Sequence, residues 1–597
     1  MFRTLFLKIL VWRIRNIPDQ YFMLILSIIV GTAGGLMALT LKTLVWHFSD
    51  LLLEGMHYSY FENLNFDNFL LLVYPSIGIS LTVLMKKYII KDKIKHNISA
   101  ILRSISKRKS FMKAHKTYSS FLGGIITASF GGSIGLESPI ISSGAAIGSN
   151  FGRVFHLNYK QVTVLLACGS SGAIAAIFNT PIAAIVFAIE VLMIDLTRFS
   201  LVPLLLASVS GAIINKFLFK DEILIDFKTT DILDVNDIPF FVVLGILSGF
   251  VSLYFTKMFL YIERKFDRLK KMYNQVIVGG IILGIMIFVF PPLYGEGYET
   301  IKAVLEGDYQ NVIHASLFEV FQNNFLLFII FFLLLIFFKV IATATTFSAG
   351  GIGGIFAPSL FTGAILGFVF ARTINHLNIG INIPESEFAL VGMACLLGGV
   401  LHAPLTGIFL IAEITGGYEL ILPLMLATTI SYVTVKILVK NSIFTMQLAK
   451  TGELITHHKD KAILTFMNLQ SVIEKDFLTI SEKKSLGDLV KVISKSKRNI
   501  FPVIDDRKTL IGIVYLDNIR ELMFNTEMYN NTFVTNVMIA PQAYIQVNDP
   551  MNIVMEKFQE TNAWNLPVVE DGKYVGFVSK SKLFSVYRKH LIDISEE

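Results

Sequence analysis

Phe178-Asn179-Thr180-Pro181-Ile182-Ala183-Ala184-Ile185-Val186-Phe187-Ala188-Ile189-Glu190 is echoed 223 residues later by Leu401-His402-Ala403-Pro404-Leu405-Thr406-Gly407-Ile408-Phe409-Leu410-Ile411-Ala412-Glu413. Each copy reads as a short apolar helix opened by proline and closed by glutamate. Upstream of each stands a Gly-x-x-x-Pro turn, Gly135 to Pro139 and Gly354 to Pro358, 219 residues apart. Two paired motifs in register make a repeat rather than an accident of composition. Repeats with interrupted apolar helices are a transporter pattern, often with the two halves inverted.

The rest of the chain agrees. Of 597 residues 53% are hydrophobic and only 16% charged, against roughly 25% charged in soluble proteins. That excludes an ordinary soluble enzyme and intrinsic disorder. The net charge of +7 does not point to nucleic acid, because the basic residues flank apolar spans and orient the chain in a membrane. Clean spans lie near 21–46, 68–90, 198–219, 238–262, 276–293 and 325–345, each near the 17–25 residues a bilayer needs. Stretches 119–152, 160–195, 350–375 and 387–440 are apolar but broken by Gly, Ser and Pro. The loop 91–116 holds nine Lys and Arg against one acid, Asp92, which places it in the cytoplasm. Both termini are expected on that side, residues 1–20 as an amphipathic interfacial helix.

After residue 446 charges become frequent and strand-like alternation appears. Phe501-Pro502-Val503-Ile504-Asp505 recurs as Leu566-Pro567-Val568-Val569-Glu570, and Ile511-Gly512-Ile513-Val514 as Val575-Gly576-Phe577-Val578. Each copy reads strand, turn, strand, helix. The expected fold is therefore a multi-span all-α membrane domain (21–446) with two repeated halves, a linker (447–465), and a cytoplasmic α/β pair at 466–526 and 527–597.

The chemistry sits in the broken segments. A helix beginning at Gly131-Gly132-Ser133-Ile134-Gly135-Leu136-Glu137-Ser138-Pro139 inside a membrane presents unpaired N–H groups and the positive end of its dipole. Gly353-Gly354-Ile355-Phe356-Ala357-Pro358 does the same from the other half. Two such N-termini converging make an anion site without a fixed cation, which suits an ion that must leave again. Glu137 is costly at membrane depth unless those N–H groups face it, and its carboxylate would then compete with a mobile anion. The alternative is close helix packing through small residues.

These residues resemble the CLC family of chloride channels and chloride/proton antiporters, over nearly the whole chain, and the tail resembles the paired CBS domains many members carry. Gly135-Leu136-Glu137-Ser138-Pro139 is similar to the family's G-[KR]-E-G-P, which implies that Glu137 is a gating glutamate. Gly354-Ile355-Phe356-Ala357-Pro358 matches G-x-F-x-P, implying anion contacts from Gly354, Ile355 and Phe356, with Gly135 opposite. The resemblance also implies a homodimer with one pore per subunit, permeated by chloride or other small anions.

Three departures shape the expected mechanism. The family's G-S-G-I-P is degraded to Lys95-His96-Asn97-Ile98-Ser99, with His96 at the anion-coordinating position. Phe444 stands where the family usually has a tyrosine, and a missing hydroxyl donor costs about 1–3 kcal/mol of anion binding. Antiporters of the family typically carry a second acid where this chain has Val191, leaving Glu190 as a candidate proton carrier. A passive, glutamate-gated chloride channel is the expectation; a chloride/proton antiporter with a non-standard proton path is the alternative. In the tail, the family's ribose-binding segment would fall on Tyr515 and Asn518 in one copy and on Ser579 and Lys582 in the other. Neither copy ends in the usual Asp, so a dimer-stabilising, ligand-free pair is expected, with an adenine nucleotide as the alternative. No metal, other cofactor or enzymatic activity is expected, since His115, His402, His457 and His458 form no ligand pattern. Lys339 is expected to line the inner vestibule or to snorkel.

Overall fold

The computed structural model describes residues 13, 15–53, 69–91, 97–107, 110–219, 235–314, 324–378, 381–450, 467 and 469–595. His96, residues 1–12 of the expected N-terminal helix and 451–465 of the expected linker lie outside the described residues. The chain forms two units, Met1–Leu454 and Ile455–Glu597.

In a bilayer the backbone must satisfy its own hydrogen bonds, and the first unit accordingly has helices and no named strand among the described residues. They are α1 (Asp19–Leu53), α2 (Leu70–Leu84), α3 (Asn97–Lys107), α4 (Lys116–Ser129), α5 (Glu137–Val154), α6 (Tyr159–Phe178), α7 (Pro181–Glu190), α8 (Arg198–Phe219) and α9 (Ile238–Asp267). Then follow α10 (Met272–Val289), α11 (Tyr298–Leu305), α12 (Tyr309–His314), α13 (Phe325–Ala349), α14 (Phe356–His376), α15 (Glu385–Leu401), α16 (Pro404–Ile414), α17 (Ile421–Leu438) and α18 (Ile443–Lys450). Among the described residues, nine helical spans are long and apolar enough to cross a membrane.

The repeat governs backbone conformation as well as sequence. Gly131 (φ 82°) and Gly350 (φ 111°) close the helices ahead of the two Gly-x-x-x-Pro turns, in a region where only glycine is free of Cβ strain. Asn179 (φ 56°) and His402 (φ 58°) make the corresponding left-handed turns before α7 and α16. The first pair is 219 residues apart and the second 223, as in the sequence motifs. The four extra residues fall in the connection between α14 and α15.

Each of the four stretches expected to be broken is interrupted, at 130–136, 179–180, 350–355 and 402–403, but not every small residue in them marks a break. Tyr159–Phe178 and Phe356–His376 are single helices, and their small residues serve contact rather than interruption. A Cβ on Gly148 would lie 1.9 Å from the Leu165 carbonyl oxygen, and one on Gly367 1.9 Å from that of Phe388. Gly144 meets Gly169 in the same way that Gly363 meets Gly392, so α5–α6 and α14–α15 are one packing unit used twice. Gly148→Ala and Gly367→Ala are each expected to cost about 1–3 kcal/mol or more. Thermal unfolding in detergent checks this, with Gly417→Ala, whose Cβ would meet only a Glu419 side-chain atom at 4.0 Å, as the near-neutral control.

In the second unit β1 (Ile480–Ser481), β2 (Ile500–Ile504) and β3 (Leu510–Tyr515) form one sheet, and β4 (Ile545–Gln546), β5 (Asn565–Glu570) and β6 (Lys573–Ser579) another. In both, the first pair is parallel and the second antiparallel. Apolar clusters centred on Phe501, Val503 and Val514 and on Leu566, Val568 and Val578 fill the two cores. The Asp505 carboxylate closes the β2–β3 turn, accepting from the N–H groups of Thr509 at 2.7 Å and Arg507 at 2.8 Å. The Thr509 N–H, chiefly, holds that carboxyl below its usual range.

Candidate anion site and gate

The two Gly-rich turns meet. Gly135 and Gly354 form an antiparallel bridge, the Gly135 N–H donating to the Gly354 carbonyl at 2.8 Å. The helices they open, α5 at Glu137 and α14 at Phe356, therefore start side by side from opposite halves. Neither start has a side-chain cap: the N-cap residues Leu136 and Ile355 are apolar and buried.

Glu137 occupies this junction. Its Oε1 accepts from the Tyr298 hydroxyl at 2.6 Å. Its Oε2 is buried, with no hydrogen-bond partner among the described residues. A Cβ on Gly135 would lie 2.0 Å from that oxygen and 3.0 Å from the Ala357 nitrogen, so the missing side chain at Gly135 is what admits the carboxylate to the first turn of α14. Phe178 packs beside it, its ring 5.6 Å from that of Phe356 and 6.5 Å from that of Tyr298. Gly354, Ile355, Phe356, Gly135 and Glu137 are thus brought together.

Phe444 is buried in the first turn of α18. Its carbonyl accepts from the Ser99 hydroxyl at 2.9 Å. Ser99, three residues beyond His96 and not singled out in the sequence, thereby ties α3 to the start of α18.

The structure adds two residues that the sequence analysis missed and moves a third. Glu296, in the loop before α11, accepts from the Leu136 N–H at 3.0 Å. Tyr298, the first residue of α11, holds Glu137 from the end of that loop. Lys339 is neither in a vestibule nor snorkelling: it is fully buried, donating to the carbonyls of Gly295 at 3.0 Å and Leu293 at 3.4 Å, with its Nζ 4.6 Å from the centre of the Phe361 ring. The loop it clamps turns through Gly295 and Gly297, both at positive φ, and so delivers Glu296 and Tyr298 to the junction.

Glu190 is committed to a different contact. Its Oε1 accepts from the Leu405 N–H at 3.0 Å, and its Oε2 from the Thr406 N–H at 2.8 Å and hydroxyl at 2.7 Å. Glu413 repays this, accepting from the N–H groups of Ile182 at 3.0 Å and Ala183 at 2.8 Å. Each Pro-led helix is capped by the acid ending the other, so α7 and α16 run antiparallel and the two halves are inverted. Hydrogen bonds to a charged acceptor are worth about 1.5–3 kcal/mol. Glu190→Ala and Glu413→Ala should each lower stability by about 2–4 kcal/mol in thermal unfolding, with Gln retaining part of the loss. Val191, next in sequence, is buried and apolar.

In the tail, the Ser579 hydroxyl donates to Glu474 Oε1 at 2.5 Å, and Arg498 holds Glu474 Oε2 at 2.8 Å. Lys582 donates its N–H to the Ser579 hydroxyl at 3.2 Å while its side chain is exposed. Tyr515 ends β3 half-buried, and Asn518 is exposed in the short helix Leu516–Ile519.

Paired, uncapped helix starts from inverted halves, with a carboxylate lodged between them, define an anion-transporting membrane protein. The family profile described as voltage gated chloride channel matches residues 77–436, and that of the CBS domain matches 469–525 and 534–589. The chain belongs to this chloride-channel family and is a multi-pass integral membrane protein of chloride transport. It is 28% identical over 341 residues to the H(+)/Cl(-) exchange transporter ClcA of Vibrio campbellii, covering 55% of this chain and 69% of that one. It is 24% identical over 527 residues to the chloride channel protein CLC-f of Arabidopsis thaliana, covering 77% and 66% respectively. Its fold matches a slow cyanobacterial Cl-/H+ antiporter with a TM-score of 0.63 at 23% identity, over 73% of this chain and 99% of that one. It matches a eukaryotic CLC transporter with a TM-score of 0.61 at 17% identity, over 95% and 99%.

Proposed function

We propose that the chain conducts chloride passively, through a pore that Glu137 closes when ionised and opens when protonated or displaced. The observation that carries this reading is the seat of its carboxylate at the uncapped start of α14, where a permeating anion would sit. The amides around Gly354, Ile355 and Phe356, with Gly135 opposite, would hold the anion there, and His96 and Phe444 would line its further path with Ser99. Passive conduction is supported by Val191, which cannot carry a proton, and by Glu190, whose two oxygens are both engaged on α16. The pore would operate in a homodimer, one pathway per copy, with both termini cytoplasmic. The tail would stabilise that dimer without a nucleotide, since Glu474 already engages the Ser579 hydroxyl.

The second reading is a chloride/proton antiporter. It is favoured by the exchangers among the relatives and by Glu296, an acid close to Glu137. Purified protein in liposomes decides between them, with chloride efflux and external pH recorded together. Efflux without proton movement is the expected result. Proton uptake that follows chloride efflux and persists against a proton gradient would establish exchange.

A further inference from the structure

We propose that Glu296 is a second acid of the gate: its carboxylate competes with the permeating anion for the N–H at the start of α5 and yields that place when protonated. This rests on the reading of Glu137 as the gate. The junction has two uncapped helix starts, and the structure sets one carboxylate on each. Glu137 reaches across to α14, the helix opposite its own, while Glu296 accepts from Leu136 at the start of α5. An anion entering between the helices must therefore displace two tethered carboxylates.

The surroundings make Glu296 responsive. It feels the charges of Glu137 on α5, Lys42 on α1 and Lys339 on α13, and Tyr298, two residues on, ties its loop to Glu137. Two carboxylates in one buried cluster repel, so protonation of either eases ionisation of the other. Lys339 donates to the carbonyls of Gly295 and Leu293, fixing the loop, and its charge also acts on Glu296. Were Glu296 only a structural cap of α5, removing its charge would alter stability and leave the pH profile of transport alone.

The test is chloride efflux from liposomes between pH 4.5 and 7.5 for the parent, Glu137→Gln, Glu296→Gln and the double variant. Glutamine keeps an oxygen for the Leu136 N–H, and a monodisperse size-exclusion peak verifies folding. With Glu137 neutralised, a residual acceleration on acidification of roughly three- to tenfold is expected, the worth of one hydrogen bond. The double variant should be flat across the range. A flat profile in Glu137→Gln alone, or an unchanged residual acceleration in the double variant, overturns the role of Glu296 and leaves that of Glu137 standing. A Glu137→Gln protein with the parent's rate and pH profile overturns the gate itself, and this inference with it.

Discussion

Liposomes carrying Glu137→Gln should release chloride about tenfold or more faster than the parent at neutral pH. A tethered carboxylate acts on its site at an effective concentration of millimolar or above, and each 1.4 kcal/mol of lost competition is about tenfold. Glutamine has the same shape and can still accept from the Tyr298 hydroxyl, but it brings no charge to the α14 start. On acidification the two proteins should converge, because protonation does to Glu137 what the substitution does permanently. The direction is fixed by the site: the ionised form holds the helix start, so conduction rises as pH falls. Equal rates at neutral pH would remove Glu137 from the gate.

Lys339→Met should be the most damaging single change to the fold of the membrane unit. The ammonium is fully buried and satisfies two carbonyls of the loop that carries Glu296 and Tyr298. Removing one partner from a buried charged group typically costs about 3–5 kcal/mol, and here the carbonyls lose their donor as well. Thermal unfolding in detergent should fall sharply. Adding Glu296→Gln should recover part of the loss, because the acid whose charge Lys339 offsets is then neutral. A variant that unfolds with the parent, or a double variant with strictly additive loss, would show that Lys339 is not electrostatically tied to Glu296.

The architecture was legible because duplication wrote it twice. A single Pro-led helix ending in Glu carries little information, whereas two at a fixed spacing, each behind its own Gly-x-x-x-Pro turn, fix which segments correspond. Glu137 was legible for a different reason: an acid in a Gly-rich membrane turn needs a compensating environment, and the adjacent helix start supplies one. Glu296 and Tyr298 were not, since their loop stands about 160 residues from Glu137 in sequence and has no counterpart motif. The available clue was Lys339. A lysine inside an apolar run demands acceptors at membrane depth, and the nearest acid between glycines upstream is Glu296. Which glycines interrupt and which only permit contact was also hidden, because the two kinds look alike until the partner helix is in place.

The exchange of caps between α7 and α16 bears on the origin of the chain. A half containing one Pro-led helix and its terminal Glu has an acid with nothing to cap and a helix start with nothing to cap it. An ancestral single-repeat protein would have met both needs only by pairing head to tail with a second copy in the same membrane, inserted the opposite way up. Glu190 and Glu413 would then be the remnant of an old symmetric association, now sealed within one polypeptide. Separately expressed halves should therefore re-associate through these two contacts, and Glu190→Ala or Glu413→Ala should weaken their co-purification.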